Sequence, residues 1–199
     1  MIAEAPSVYN SRIPGILEML YNTSILRGEI MTHVTNVAAV KRHTNTSYRQ
    51  RNLWSGFLFG LGLVAFIDET VFHQLLHWHH FYDKSTTDIG LVSDGLFHAF
   101  SWFATIGGLF MLADLKRRSE WQIKRWWSGI LLGAGIFQLY DGIIQHKIMR
   151  IHQIRYVDNV IIYDIVWNGL ALILIFIGLY FLKQSRHSPF KKDETNGEY

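Results

Sequence analysis

The chain has 199 residues, of which 49% are hydrophobic and 15% aromatic, and its formal net charge is +3. This length is enough for one compact domain and no more. There is no cysteine, which excludes disulfide bonds and thiolate metal sites and makes carriage of copper(I) a poor fit. The start of the chain has no basic segment followed by a sustained apolar run, so we expect no cleaved signal peptide.

The N-terminal extension, residues 1–50, is polar. Ile13, Ile16 and Leu20 give it an amphipathic pattern, and Pro14 stands where a helix would begin. This pattern fits either an interfacial helix or a disordered arm.

Four apolar stretches follow the extension, near 53–76, 90–113, 127–149 and 159–182. Each reaches the roughly 20 residues that a helix needs to cross a bilayer. The last contains one ionisable residue, Asp164, whereas the first three are more polar, which favours a bundle with a polar interior. The sequence therefore predicts an all-α fold: an integral membrane four-helix bundle over residues 51–183, followed by a disordered tail over 184–199.

Cationic residues flank these stretches unevenly. Beside the spans, thirteen lysines and arginines lie on the side of the two termini, and four lie in the links on the other side. The positive-inside rule therefore predicts that both termini are cytoplasmic and that the protein spans the inner (plasma) membrane of the cell. A lipid bilayer is the expected partner, whereas nucleic acid is not, because the basic residues cluster beside the spans. The sequence is compatible with a homo-oligomer and identifies no protein partner.

The apolar region contains an internal repeat. Residues 55–80 align without a gap to residues 128–153. Two copies of a two-span unit, repeat one over 53–113 and repeat two over 127–182, would share one orientation in the membrane. The aligned identities include Asp68 with Asp141, His73 with His146, and His79 with His152, and Asp94 aligns with Asp164 in the second spans.

Glycines recur one helical turn apart in spans one and three. Gly56 and Gly60 fall in the first span, and Gly129 and Gly133 occupy the matching positions in the third. Small residues at this spacing let helix backbones approach closely in lipid. We therefore expect spans one and three to form the central pair of the bundle.

Histidines and carboxylates concentrate near the outer ends of the spans, where four helices would bring them to a common depth. His73, His77 and His80 would share one helix face at spacings of four and three residues. Imidazole and carboxylate together suit one transition-metal ion such as zinc, iron or copper(II). The predicted ligands are His73, His77, His80, Asp94, His98 and His146. The residues predicted to support these ligands or to relay protons are Asp68, Glu69, His79, Asp141, His152 and Asp164.

The symmetry of this constellation is imperfect. His77 aligns with Arg150, and His98 aligns with Asn168. The first half is therefore richer in ligands, which favours one asymmetric site over two equal ones.

Two segments carry a resemblance to a known family. FIDETVFHQLLHWHH (66–80) and DGLFHAF (94–100) are similar to the pattern F-x-D-G-x-x-x-H-Q-x-L-x-W-H-H followed by D-G-L-F-H-A. This pattern is typical of an uncharacterised bacterial family of predicted four-helix membrane proteins, a "domain of unknown function". Glu69 departs from it by replacing a glycine. The resemblance, over about residues 53–182, implies a membrane location and a helical fold, and it implies no activity.

Four functions are compatible with these features, and whether the protein is an enzyme is left open. The first is a metalloprotein used for redox chemistry, metal-assisted hydrolysis or metal delivery. The second is a proton or cation transporter with an intramembrane relay. The third, less favoured, is a b-type haem protein in which His73 and His146 face one another. The fourth is a membrane assembly or scaffold protein whose polar groups only fix helix packing.

Overall fold

A computed structural model describes residues 14–187, and every regular element in that range is helical. Four helices are long and apolar enough to cross a membrane. They are α1 (Pro14–Asp68), α2 (Thr87–Arg117), α3 (Ile123–Tyr140) and α4 (Ile161–Gln184). The predicted all-α membrane fold is confirmed.

Wider π-helical turns extend two of these helices. Glu69–Leu75 continues α1, and Asp141–Met149 continues α3. A short 3₁₀ turn, Ser185–His187, follows α4. The segment 76–86 links the first π-helix to α2, and 150–160 links the second π-helix to α4.

The chain divides into two units, Met1–Thr46 and Ser47–Tyr199. Helix α1 begins at Pro14 in the first unit, where the side chains of Ile30, Val34 and Val37 are exposed. Residues 1–13 of the extension and 188–199 of the predicted disordered tail lie outside the described residues, while Gln184 to His187 are helical. The proposed domain boundaries stay predictions.

The second unit contains a close contact between α1 and α3. A Cβ added to Gly60 would collide with the carbonyl oxygen of Ile130, and one added to Gly133 would collide with that of Phe57. Gly56 and Gly129 are equally confined by the facing backbone. The predicted close approach of these two helices is therefore confirmed, and it leaves no room for a side chain between them.

Matching hydrogen bonds join the second helix of each half to the first. Ser55 Oγ donates to the carbonyl of Gly108 at 2.8 Å, and Ser128 Oγ donates to that of Gly178 at 2.8 Å. Because the two serines are aligned in the proposed repeat, this agreement supports the duplication, which stays a prediction. In lipid, such bonds pair polar groups that water cannot reach.

Candidate metal centre

The first polar side chains of the site lie in the two π-helices or directly before them. Asp68 ends α1, and Glu69 and His73 follow in the first π-helix. Asp141 and His146 lie in the second. All five are buried, at 4% exposure or less. π-Helical turns are uncommon and occur often at functional sites.

The two links then turn histidines back towards the bundle. His77 (φ 51°) and Arg150 (φ 52°) both adopt the left-handed backbone conformation, which is uncommon for residues other than glycine. They are aligned positions of the proposed repeat. Two residues beyond each turn lie His79 and His152, which are 6% and 2% exposed. The links therefore bury these two histidines rather than presenting them to the membrane surface.

A first group of ligand-type residues consists of Glu69, His73 and Asp94. His73 Nδ1 is 3.2 Å from Asp94 Oδ1 and 2.9 Å from Glu69 Oε2. Asp94 also accepts hydrogen bonds from the backbone amide of Phe81 at 2.7 Å and pairs with His80 Nδ1 at 2.7 Å. Asp94 therefore fixes the first link against α2 as well as orienting His73.

A second group consists of His79, His146 and His152, with Asp141 beside it. Asp141 Oδ2 is 3.1 Å from His146 Nε2, and Asp141 Oδ1 is 3.3 Å from His152 Nε2. His79 stacks on His152 with ring centroids 4.6 Å apart and planes 5° from parallel. The centroids of His146 and His152 are 4.7 Å apart. Three imidazoles from three segments of the chain therefore meet, and two of them contact the carboxylate of Asp141.

The two groups are adjacent. The ring centroid of His73, in the first group, is 4.4 Å from that of His79 and 6.0 Å from that of His152, both in the second. His73 Nε2 is also 3.9 Å from Asp68 Oδ2. We call the two groups together with Asp68 and Asp141 the carboxylate–histidine cluster.

Several buried atoms of this cluster make no hydrogen bond. Neither ring nitrogen of His79 or of His146 has a hydrogen-bond partner. The same is true of Nε2 of His73, Nε2 of His152 and Oε2 of Glu69. An unpaired polar atom in a water-poor interior costs free energy, so such atoms are rare in native proteins. Their concentration at one point indicates a place for a polar or cationic ligand.

The charge of the cluster points to a cation. Asp68, Glu69, Asp94 and Asp141 are all buried. Among the ion pairs of the described residues, these four carboxylates pair only with histidines and never with lysine or arginine. Buried carboxylates without a cationic partner are costly. Metal ions, or protons on the carboxylates or imidazoles, must therefore balance them.

His79 is placed to act as a neutral ligand. It lies in the first link, outside the apolar spans. Burial, reinforced by the neighbouring imidazoles of His73, His152 and His146, lowers the pKa of His79 to about 2. A neutral imidazole keeps a ring lone pair, which is the form that binds metals.

An apolar cavity of about 640 Å³ lies beside the cluster. Phe81 and Phe97 line it and also contact the cluster, since the rings of Phe97 and His73 are 5.8 Å apart and those of Phe81 and His152 are 6.0 Å apart. The buried amide of Gln145 also lines the cavity. These aromatic rings form a wall between the cavity and the polar centre.

The structure separates the predicted site residues into two sets. It brings together His73, His80, Asp94 and His146 of the predicted ligands, and Asp68, Glu69, His79, Asp141 and His152 of the predicted supporting residues. The expected helix face of His73, His77 and His80 does not form, because the helix ends at Leu75. His77 is exposed beyond that end.

His98 and Asp164 make contacts elsewhere. His98 Nε2 accepts a hydrogen bond from Trp102 Nε1 at 3.1 Å. Asp164 pairs with Lys147 at 2.6 Å. The sequence analysis gave His79 and His152 a supporting role, whereas the structure buries both of them beside His146. Their mutual alignment in the repeat was the signal that favoured them.

Four membrane-spanning helices around a buried carboxylate–histidine cluster define this chain as a polytopic membrane protein with a candidate metal centre. The chain belongs to the family described as "Predicted membrane protein (DUF2243)", whose model matches residues 55–185. The resemblance noted in the sequence is thereby confirmed. No curated protein and no protein of solved structure matches the chain.

Proposed function

We propose that the protein is a membrane metalloprotein that binds a transition-metal ion through His79, His146 and His152, with Asp141 as a fourth ligand. The three histidines are buried, and one ligand atom from each lies within 4.8 Å of the others. Two nitrogens on one ion lie at most about 4.2 Å apart, twice a metal–nitrogen bond of about 2.1 Å. Small rotations of the three rings would therefore bring one nitrogen of each within bonding distance of a single ion.

The strongest support for this proposal comes from the surroundings of His152. Its Nδ1 lies 2.8 Å from the carbonyl oxygen of Phe81. A carbonyl oxygen can only accept, so Nδ1 carries the ring proton. In the neutral ring Nε2 keeps the lone pair, and it lies 3.3 Å from Asp141 Oδ1 with no hydrogen bond between them. Two electron-rich atoms in this position repel each other unless a proton or a metal ion lies between them.

The bond from His152 to Phe81 also matches the usual environment of a metal-binding histidine. In metal sites the second ring nitrogen generally donates to a carbonyl or carboxylate, which fixes the orientation of the ring. Three imidazoles and a carboxylate suit zinc, iron or copper(II). The donor set does not select among these metals.

The alternative functions have weaker support. The glycine contact between α1 and α3 packs backbone against backbone, which argues against a continuous polar path for a proton or cation relay. A haem between His73 and His146 would need open space between the two rings. The ring centroid of His79 lies 4.4 Å from that of His73 and 6.2 Å from that of His146, so His79 occupies that region.

The orientation forms part of the proposal. The excess of cations beside the termini supports a cytoplasmic location for both termini in the inner (plasma) membrane. The two histidine-bearing links, 76–86 and 150–160, then lie on the outer side. The metal centre would face the outer half of the bilayer.

A binding titration tests the proposal. Chelator-treated protein in detergent is titrated with zinc, and with cobalt(II) as a coloured substitute for zinc. We expect saturable binding by the wild type, at least tenfold weaker binding by His146→Ala, and wild-type binding by His98→Ala. Equal affinity of His146→Ala and wild type would contradict the proposed site.

A further inference from the structure

We propose that the cluster holds a second divalent cation on Glu69, His73 and Asp94, beside the ion of the proposed function, on which this inference rests. Ligand atoms of these three residues lie within 4.8 Å of one another. Each residue is no more than 1% exposed. Two carboxylates and one imidazole form a harder donor set than three imidazoles, which suits manganese(II), iron(II) or zinc.

The unpaired atoms of this group support a cation rather than a closed hydrogen-bond network. His73 Nδ1 hydrogen-bonds with Asp94 Oδ1, so Glu69 Oε2 has no hydrogen bond although it lies 2.9 Å from the same nitrogen. Separations of 2.9 and 3.2 Å are close to those of neighbouring ligands on one ion with bonds of about 2.1 Å. The three donor atoms are thus already gathered at ligand spacing.

The other oxygen of Glu69 is held in place. Glu69 Oε1 accepts a hydrogen bond from Gln74 Nε2 at 2.8 Å. The opposite oxygen of Asp94 is likewise held by His80 Nδ1 at 2.7 Å. Each carboxylate therefore has one oxygen anchored by an outer partner and one directed at His73. Outer hydrogen bonds of this type fix ligands in metal sites.

The charge of the four buried carboxylates favours more than one divalent ion. The four buried carboxylates carry four negative charges when ionised, and no described lysine or arginine pairs with them. A single divalent cation on the second histidine group neutralises half of this charge. A second divalent cation neutralises the rest, and protons on His73 and His80 are the competing source of positive charge.

The two ion positions would be neighbours, since the rings of His73 and His79 are 4.4 Å apart. Paired ions in one pocket allow a shared water or substrate oxygen to be activated by both. The two halves of the chain each supply one further carboxylate. Asp68 Oδ2 is 3.9 Å from His73 Nε2, on the opposite side of the ring from Glu69, and Asp141 Oδ2 is 3.1 Å from His146 Nε2.

Metal stoichiometry tests this inference. Wild-type protein is dialysed against manganese(II) or zinc, and bound metal per chain is measured by elemental analysis. We expect two ions per wild-type chain, one per chain in Glu69→Gln, and two in the control Glu120→Gln, whose carboxylate lies in the link between α2 and α3. In manganese-loaded wild type, spin coupling between the ions should broaden the electron paramagnetic resonance spectrum, and Glu69→Gln should show an isolated ion.

The outcomes separate this inference from the proposed function. One ion per wild-type chain, with Glu69→Gln also at one, would overturn the second ion and leave the first intact. No ion in the wild type would overturn both. The number of ions per wild-type chain is enough to accept or reject the second ion. The test therefore remains valid if Glu69→Gln does not fold.

Discussion

His79 and His152 stack with their ring centroids 4.6 Å apart, although 73 positions separate them in the chain. The stack joins the two links at the candidate metal centre, and His79 has no hydrogen bond at either nitrogen. His79→Phe would keep an aromatic ring in the stack and remove both nitrogens. We expect this variant to bind zinc at least tenfold more weakly than wild type while keeping its thermal stability. His77→Phe, in the exposed part of the same link, should bind as wild type, and equal zinc affinity in both variants would contradict a ligand role for His79.

The carboxylate of Asp94 connects three groups of the site. It accepts a hydrogen bond from the amide of Phe81 and pairs with His73 and His80. Asp94→Ala removes this buried carboxylate and releases the first link from α2, so we expect a loss of about 3 kcal/mol in the free energy of unfolding. Asp88→Ala, in the exposed first turn of α2, is the control and should unfold as wild type. Denaturant unfolding in mixed micelles measures the difference, and an unchanged midpoint for Asp94→Ala would show that the link is held by other contacts.

The contact between α1 and α3 gives a prediction independent of metal. In Gly133→Ala the new methyl group would collide with the carbonyl oxygen of Phe57. Separating the helices to relieve this collision should cost about 1–3 kcal/mol. Gly107→Ala on α2 is the matched control, because nothing lies within 4 Å of its added Cβ. Equal unfolding midpoints for the two variants would show that α1 and α3 do not pack through their backbones.

The absence of native cysteine makes the proposed orientation directly testable. Lys84→Cys places one thiol in the first histidine-bearing link, and Ser119→Cys places one in the link between α2 and α3. In spheroplasts, a membrane-impermeant thiol reagent should label Lys84→Cys at once and label Ser119→Cys only after the membrane is opened. The reverse order would place both termini outside and the candidate metal centre in the inner half of the bilayer.

The helical membrane fold follows from the sequence because apolar length and periodicity are local properties. Spans near 90–113 and 159–182 correspond to α2 (Thr87–Arg117) and α4 (Ile161–Gln184) within a few residues at each end. The close α1–α3 contact also follows from sequence, because small residues one turn apart have few other uses in lipid.

The geometry of the site was less predictable, because it depends on where helices end and links turn. A regular helix through residues 73–80 would have placed His77 with His73, but the chain leaves the helix after Leu75 and turns at His77 itself. That turn sends His79 inward and leaves His77 exposed. Neither π-helical geometry nor a left-handed histidine has a sequence signal as strong as apolar periodicity.

The burial of His152 could not be predicted from the sequence either. His152 follows the third apolar span, where an interfacial position is the usual expectation. In the structure its Nδ1 pairs with the carbonyl of Phe81 in the other link, which is a contact between distant segments. Only the aligned pair of His79 and His152 indicated that both positions matter.

Elemental analysis of freshly purified protein tests the central claim most directly. The protein is expressed in medium supplemented with zinc, iron, copper and manganese, purified without chelator, and compared with His146→Ala and His98→Ala prepared in parallel. The account predicts at least one transition-metal ion per chain in wild type and in His98→Ala, and less in His146→Ala. Metal-free wild-type protein that also takes up none on dialysis against each of these ions would contradict it.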